Sequence, residues 1–202
     1  MPPKPKFTRE EIVEAALELV SEKGIEALTA RELGVRLGSS ARPIFTVFTS
    51  MEQVQEEVRA AALKRFESYA EKAMHHTPVF KQVGMQMILF AMEEPKLYQL
   101  VYMSENAGAT DFAGIVERLG DVAQLCVDMI RRDYGLSEKD AKTLFEHVWI
   151  YTFGIGALCA TGMCRFSREE IIQMLGQDFM AMLSYAKSGR MNAPTPVPRL
   201  EG

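Results

Sequence analysis

Four candidate helix starts in this chain carry a serine or threonine followed, three positions later, by a glutamate or glutamine: Thr8-Arg9-Glu10-Glu11, Thr29-Ala30-Arg31-Glu32, Ser50-Met51-Glu52-Gln53 and Ser167-Arg168-Glu169-Glu170. In such a capping box the hydroxyl accepts from a free N–H of the first helical turn, and the carboxylate or amide answers back to the cap. Three of the boxes also carry a hydrophobic staple: Phe7 with Ile12, Leu28 with Leu33, and Phe166 with Ile171. Strand signals are missing, both period-two alternation and tight-turn pairs such as Asn-Gly. The chain is therefore read as all-α.

Helix stops are equally legible. Gly24 and Gly38 close the first two helices, where a left-handed cap suits glycine. The pattern predicts helices over about 8–23, 29–37, 40–47 and 50–75, the last ending at His75-His76. A further helix runs from Pro78 to Glu94, a short one opens with Pro95 in its first turn, and others span about 112–134, 137–163 and 167–187. The expected organisation is a three-helix head over 1–49, a larger helical body over 50–188, and a proline-rich, disordered tail over 189–202.

Several classes are excluded on composition and motifs. No apolar run reaches the roughly 18 residues that a membrane span needs, and the start MPPKPKFTRE lacks the apolar segment of a secretory signal. A cytoplasmic location is expected. Cys126, Cys159 and Cys164 are too few and too irregular for a disulfide framework, and with His147 they make no metal-binding spacing. No nucleophile–base pair or phosphate loop stands out, so neither an enzyme nor a cofactor is expected. The net charge of −4 argues at first against nucleic acid. Residues 1–50, however, hold seven basic and seven acidic side chains, with Lys4, Lys6 and Arg9 gathered at one place and Arg31, Arg36 and Arg42 at another. A local basic face is enough for phosphate contact.

The most informative stretch is TARELGVRLGSSARPIFTVF, residues 29–48. A short helix, a glycine-containing turn and a second helix capped by Ser40 form the pattern of a helix-turn-helix. Leu33, Leu37 and Ile44 would lock the pair to the first helix, and Gly34 would leave room where the two cross. Ser40, Ala41, Arg42 and Thr46 would face outward. The donor fork of Arg42 suits guanine or a phosphate, and Thr29 and Ser50 sit at helix starts, where N–H groups favour phosphate oxygens.

Residues 7–54 resemble the N-terminal domain of the TetR family of transcriptional regulators. The resemblance lies in T-x-R-E-L-x-x-x-L-G-x-S and in the aromatic pair Phe45 and Phe48. Further on, AMEEPKLYQLVYM and WIYTFGIGALCATG resemble the C-terminal region of a subgroup with a Trp…His-Gly motif, here Trp149…Phe153-Gly154. The resemblance implies a homodimeric repressor, with 29–37 as support helix and 40–47 as recognition helix, released from a palindromic DNA operator by a small effector. The residues then expected at DNA are Lys6, Thr29, Arg31, Ser40, Ala41, Arg42, Pro43, Phe45, Thr46, Thr49 and Ser50. The chain departs from the family's usual polar residues at Phe45, Val47 and Met51, and Pro43 is unusual in a recognition helix.

In the body, soft and aromatic side chains suit a mostly apolar effector. The expected ligand-binding residues are Met87, Phe90, Tyr98, Tyr102, Met103, Met129, His147, Trp149 and Tyr151. The last two helices resemble the family's dimer interface, which implies Gly154, Ala157, Leu158, Met174, Phe179, Met182 and Leu183 as interface residues. A second class stays open: a helical ligand-binding protein that has weakened or lost DNA binding, for which the residues at 45, 47 and 51 speak.

Overall fold

The computed structural model describes residues 5–73, 79–104, 112–117, 121–191 and 193, and all regular structure among them is helical. In chain order the helices are α1 (Arg9–Lys23), α2 (Ala30–Arg36), α3 (Met51–Ala73), α4 (Val79–Glu93), α5 (Pro95–Tyr98), α6 (Phe112–Glu117), α7 (Asp121–Tyr134), α8 (Glu138–Ala160) and α9 (Arg168–Lys187). Short 3-10 turns lie at Ile25–Ala27 and Ile44–Thr46, and α5 runs on into a π-helical turn over Gln99–Met103. None of the described helices is long and apolar enough to cross a membrane. The expected end of the third long helix at His75-His76 lies outside the described residues, as do 118–120 within the single helix expected over 112–134 and residues 194–202 of the tail.

The caps form to different degrees. Thr8 and Ser167 make complete capping boxes, with Glu11 and Glu170 returning to the cap N–H. At Thr29 only half of the box forms. Its hydroxyl accepts from Glu32 N–H at 3.2 Å, but its own N–H bonds the Ala27 carbonyl and the Glu32 carboxylate turns to Lys23 at 3.5 Å. At Ser50 the Gln53 amide oxygen reaches one residue further back, to the N–H of Thr49 at 2.9 Å.

The second helix of the expected pair does not form as an α-helix over 40–47. Its place is taken by a tight turn with one 3-10 turn over Ile44–Thr46, and Ser40 caps no helix. Pro43 has no N–H to give to a preceding carbonyl, and it disfavours helical geometry at Arg42. Ile44, Thr46 and Val47 are β-branched, which lowers helix propensity further. The Thr46 hydroxyl also donates to the Pro43 carbonyl at 2.6 Å, competing for the acceptor that its own N–H uses at 3.2 Å.

By its contacts the chain divides into two units. The first takes Met1–Gly108 with Gly154–Phe166, and the second takes Ala109–Phe153 with Ser167–Gly202. In the first, α1 packs on α2, α3 and α5, and α3 packs on α4. Its core holds Ile12, Leu19, Leu33, Ile44 and Phe48 at the head end, and Ile88, Phe90, Leu97 and Tyr98 beyond. The second unit buries Ile130, Leu144, Phe145, Ile171, Phe179 and Leu183. There Tyr134 lies on Phe179, and Trp149 stacks on Phe153 and meets Phe112. Helix α8 is shared between the two units, its residues to Phe153 in one and from Gly154 in the other.

Candidate nucleic-acid interface

The head is built around one close approach. A Cβ added to Gly34 would lie 2.9 Å from the backbone nitrogen of Ala41 and 2.9 Å from the carbonyl carbon of Ser40. Only a residue without a side chain lets α2 sit this near the turn. The Ser39 N–H bonds the Gly34 carbonyl at 2.9 Å, and Gly38 makes the reversal at φ +60°. Leu33 and Ile44 are fully buried, and Leu37 is half-buried, so the expected lock of this hairpin onto α1 forms.

The burial pattern gives the turn one inward and one outward side. Ile44 and Phe48 point into the core, whereas Arg42, Phe45, Thr46 and Thr49 are exposed. These four are exposed while Ile44 and Phe48 between them are buried. Ser40 is exposed as well, and Ala41, Pro43 and Ser50 are half-buried. Arg31 and Val35 are exposed on α2, Val35 at 68%.

Most hydroxyls of the expected DNA set already have local work. Thr29 caps α2, Thr46 binds the Pro43 carbonyl, Thr49 donates to Gln53 Oε1 at 3.1 Å, and Ser50 accepts from the Gln53 N–H at 3.4 Å. The cations divide in the same way. Arg9 pairs with Glu57 at 2.6 Å and lies 4.5 Å from the Phe48 ring centre, a cation–π contact. Lys23 faces Glu32, and Arg36 is held by Glu22 at 2.8 Å and Glu18 at 3.0 Å. The Arg36 hydrogen bond holds the Glu22 carboxyl below the ordinary carboxylate range. Arg36 therefore leaves the basic cluster expected with Arg31 and Arg42. Among the described residues Arg31, Arg42 and Lys6 make no ion pair, and Lys6 donates to the Ser39 hydroxyl at 3.0 Å and lies 5.2 Å from the Phe7 ring centre. Among the described residues of the head, Lys6, Arg31 and Arg42 are thus the cations outside an ion pair, and Lys4 lies outside the described residues.

A second set of contacts, invisible in the sequence, ties α1 to the helices behind it. The Ser21 hydroxyl donates to Glu94 Oε2 at 2.6 Å, and Arg65 bridges Glu94 at 3.3 Å and Glu14 at 3.7 Å. Glu94 immediately precedes α5, whose Tyr98 is fully buried. Tyr98 lies 4.9 Å from Tyr102 and 6.4 Å from Phe90, with Phe66 at 5.5 Å from Phe90 and 5.6 Å from Tyr102. Burial, and then Cys159, push the Tyr98 hydroxyl far up, so it stays protonated. Phe90, Tyr98 and Tyr102 of the expected ligand set are thus gathered in one cluster, to which the sequence reading did not add Phe66. In the same unit Met87 is buried and Met103 is exposed. Met129, His147, Trp149 and Tyr151 belong to the other unit, with His147 exposed and the other three half-buried. No periodicity could have found Glu94, because its bond to Ser21 spans 73 positions.

On the expected dimer residues, Gly154 is exposed and Ala157 and Leu158 are half-buried along one side of α8. On α9, Met174 and Met182 are half-buried, while Phe179 and Leu183 are buried within the chain itself. Gly156, two residues on from Gly154, is occupied within the chain: its added Cβ would lie 2.5 Å from the Tyr98 hydroxyl oxygen.

No curated protein matches the chain. Residues 12–58 match the family of bacterial regulatory proteins, tetR family, a span that takes in α1, α2, the recognition turn and the start of α3. The helix-turn-helix head is thus similar to that of the bacterial regulatory proteins of the tetR family, and this match supports a DNA-binding transcriptional regulator.

Proposed function

We propose that the protein is a homodimeric repressor, released from a palindromic operator by a small, mostly apolar effector that lodges in the helical body. The observation that carries the coupling is Glu94. It binds Ser21 of the head and Arg65 of α3, and it opens the short α5 that sets Tyr98 in the aromatic cluster. A ligand that moves Tyr98 or its neighbours would act on α1 through a chain of packed and bonded groups. It can shift the head only if it binds the two positions of α5 unequally. Two heads about 34–36 Å apart would read successive major grooves. Of the residues expected at the interface Gly154 is exposed, and Ile150 on α8 and Ile172 and Met180 on α9, which the sequence reading did not include, are exposed as well.

The test is fluorescence anisotropy with DNA flanking the protein's own gene, at two salt concentrations. Saturation at two chains per site and a steep fall with salt are expected. Arg42→Ala should cost the operator complex about 1–3 kcal/mol. A protein that binds this DNA no better than random sequence, with Arg42→Ala without effect, would instead be a ligand binder that has lost DNA reading. The short recognition turn and the apolar Phe45 favour that second reading.

A further inference from the structure

The outward face of the recognition turn is poor in polar atoms and carries a half-exposed aromatic ring. Phe45 is 48% exposed, and it makes no ring contact among the described residues. Its neighbours Ile44 and Phe48 already anchor the turn, so Phe45 is not needed for the core. Beside it, the Thr46 hydroxyl is turned back to the Pro43 carbonyl at 2.6 Å. The Thr49 hydroxyl is turned to Gln53. What remains outward on the turn is one guanidinium fork, at Arg42, and the exposed Ser40, flanked by apolar surface.

Base pairs in the major groove are told apart by donors, acceptors and one apolar group, the C5-methyl of thymine. A face with a single fork cannot read a run of bases by hydrogen bonds, and a phenyl ring offers nothing to a phosphate. We propose that Phe45, helped by the Thr46 methyl group, reads thymine methyls in the major groove, beside the base or phosphate that Arg42 engages. This rests on the reading of residues 40–49 as the segment that enters the groove. Phe45 is then a specificity-determining residue, and each operator half-site carries thymine opposite the turn.

The experiment selects duplexes from a random library with the full-length protein. Each thymine of the enriched duplex is then replaced singly by deoxyuridine, which removes only the methyl group. At one or more positions per half-site, binding should weaken about four-fold, the factor that burying one methyl group supplies. In Phe45→Ala the same replacement should change affinity less than two-fold, and Thr46→Ser should reduce the effect in part. Arg42→Ala should bind more weakly overall yet keep the four-fold ratio. Circular dichroism on the variants checks that each is folded, as exposed positions allow. Enriched duplexes indifferent to uracil overturn the proposal and leave sequence-selective DNA binding standing. A uracil effect that survives unchanged in Phe45→Ala and Thr46→Ser overturns the assignment to these residues. Failure to enrich any sequence overturns the groove reading itself, and the proposal with it.

Discussion

Gly34, inside α2, and Gly154, inside α8, are both glycines in a helix, and their surroundings are opposite. An added Cβ at Gly34 runs into the backbone of Ser40 and Ala41, whereas at Gly154 it meets nothing within 4 Å. A glycine inside a helix costs about 0.5–1 kcal/mol relative to alanine. At Gly34 the return on that cost is visible within the chain, because it is what brings α2 against the recognition turn. At Gly154 nothing among the described residues uses the missing side chain. A second chain packed on α8 would use it, in keeping with the dimer we propose. The same contrast runs along α9 between neighbours, with Phe179 buried on Tyr134 and Met180 exposed at 52%. Packing inside the chain and surface kept for something else thus lie one residue apart.

Substitutions can break or sharpen this contrast, beginning with the largest. Phe179→Ala should destabilise the protein by about 3–5 kcal/mol in urea unfolding, as other buried aromatics do, while Met180→Ala should change the unfolding of the separated chain by less than about 0.5 kcal/mol. Equal effects would mean that Phe179 is not core. Gly34→Ala should cost about 2–3 kcal/mol, because the atoms in the way are backbone and cannot swing aside. It should also lower DNA affinity, since the displaced atoms belong to the turn that carries Arg42. Retained stability with retained binding would show that α2 and the turn can separate freely. Gly156→Ala should cost about 1–2 kcal/mol by pressing on buried Tyr98, and near-ultraviolet circular dichroism of the tyrosines should change with it. Gly154→Ala should do the reverse and add about 0.5–1 kcal/mol to helix stability. If α8 pairs with a second chain there, sedimentation equilibrium will show weaker association of this variant despite its higher stability. Unchanged association would move the interface elsewhere.

Much of the fold was legible because its signals are local. The Thr8 and Ser167 boxes formed as read, and Gly24, Gly38 and Gly135 end their helices at positive φ. The extent of the recognition helix was misread because the capping and periodicity of 40–47 were weighed above three β-branched residues and an interior proline. Pro43, unusual in a recognition helix, leaves room for only a 3-10 turn. The candidate DNA face was legible in outline. Arg42, Phe45, Thr46 and Thr49 were all singled out, and all are exposed on one side. What the sequence could not say is which groups on that side are already engaged. Arg36 looks like Arg31 and Arg42 in the sequence, yet it is neutralised by Glu18 and Glu22 on the neighbouring helix.

By itself, then, the sequence determined the all-helical class, the start and end of α1 and α9, the glycine at the α2 crossing, and the family of the head. These follow from exchanges between groups within a few residues of one another, where spacing along the chain is also spacing in space. Tertiary structure alone decided which cations stay available for DNA, that Glu94 joins α1 to α3 and α5, and that Gly156 serves Tyr98 while Gly154 stays open. Those outcomes depend on partners 14 to 73 residues apart, which only the packing of helices brings within reach of a hydrogen bond.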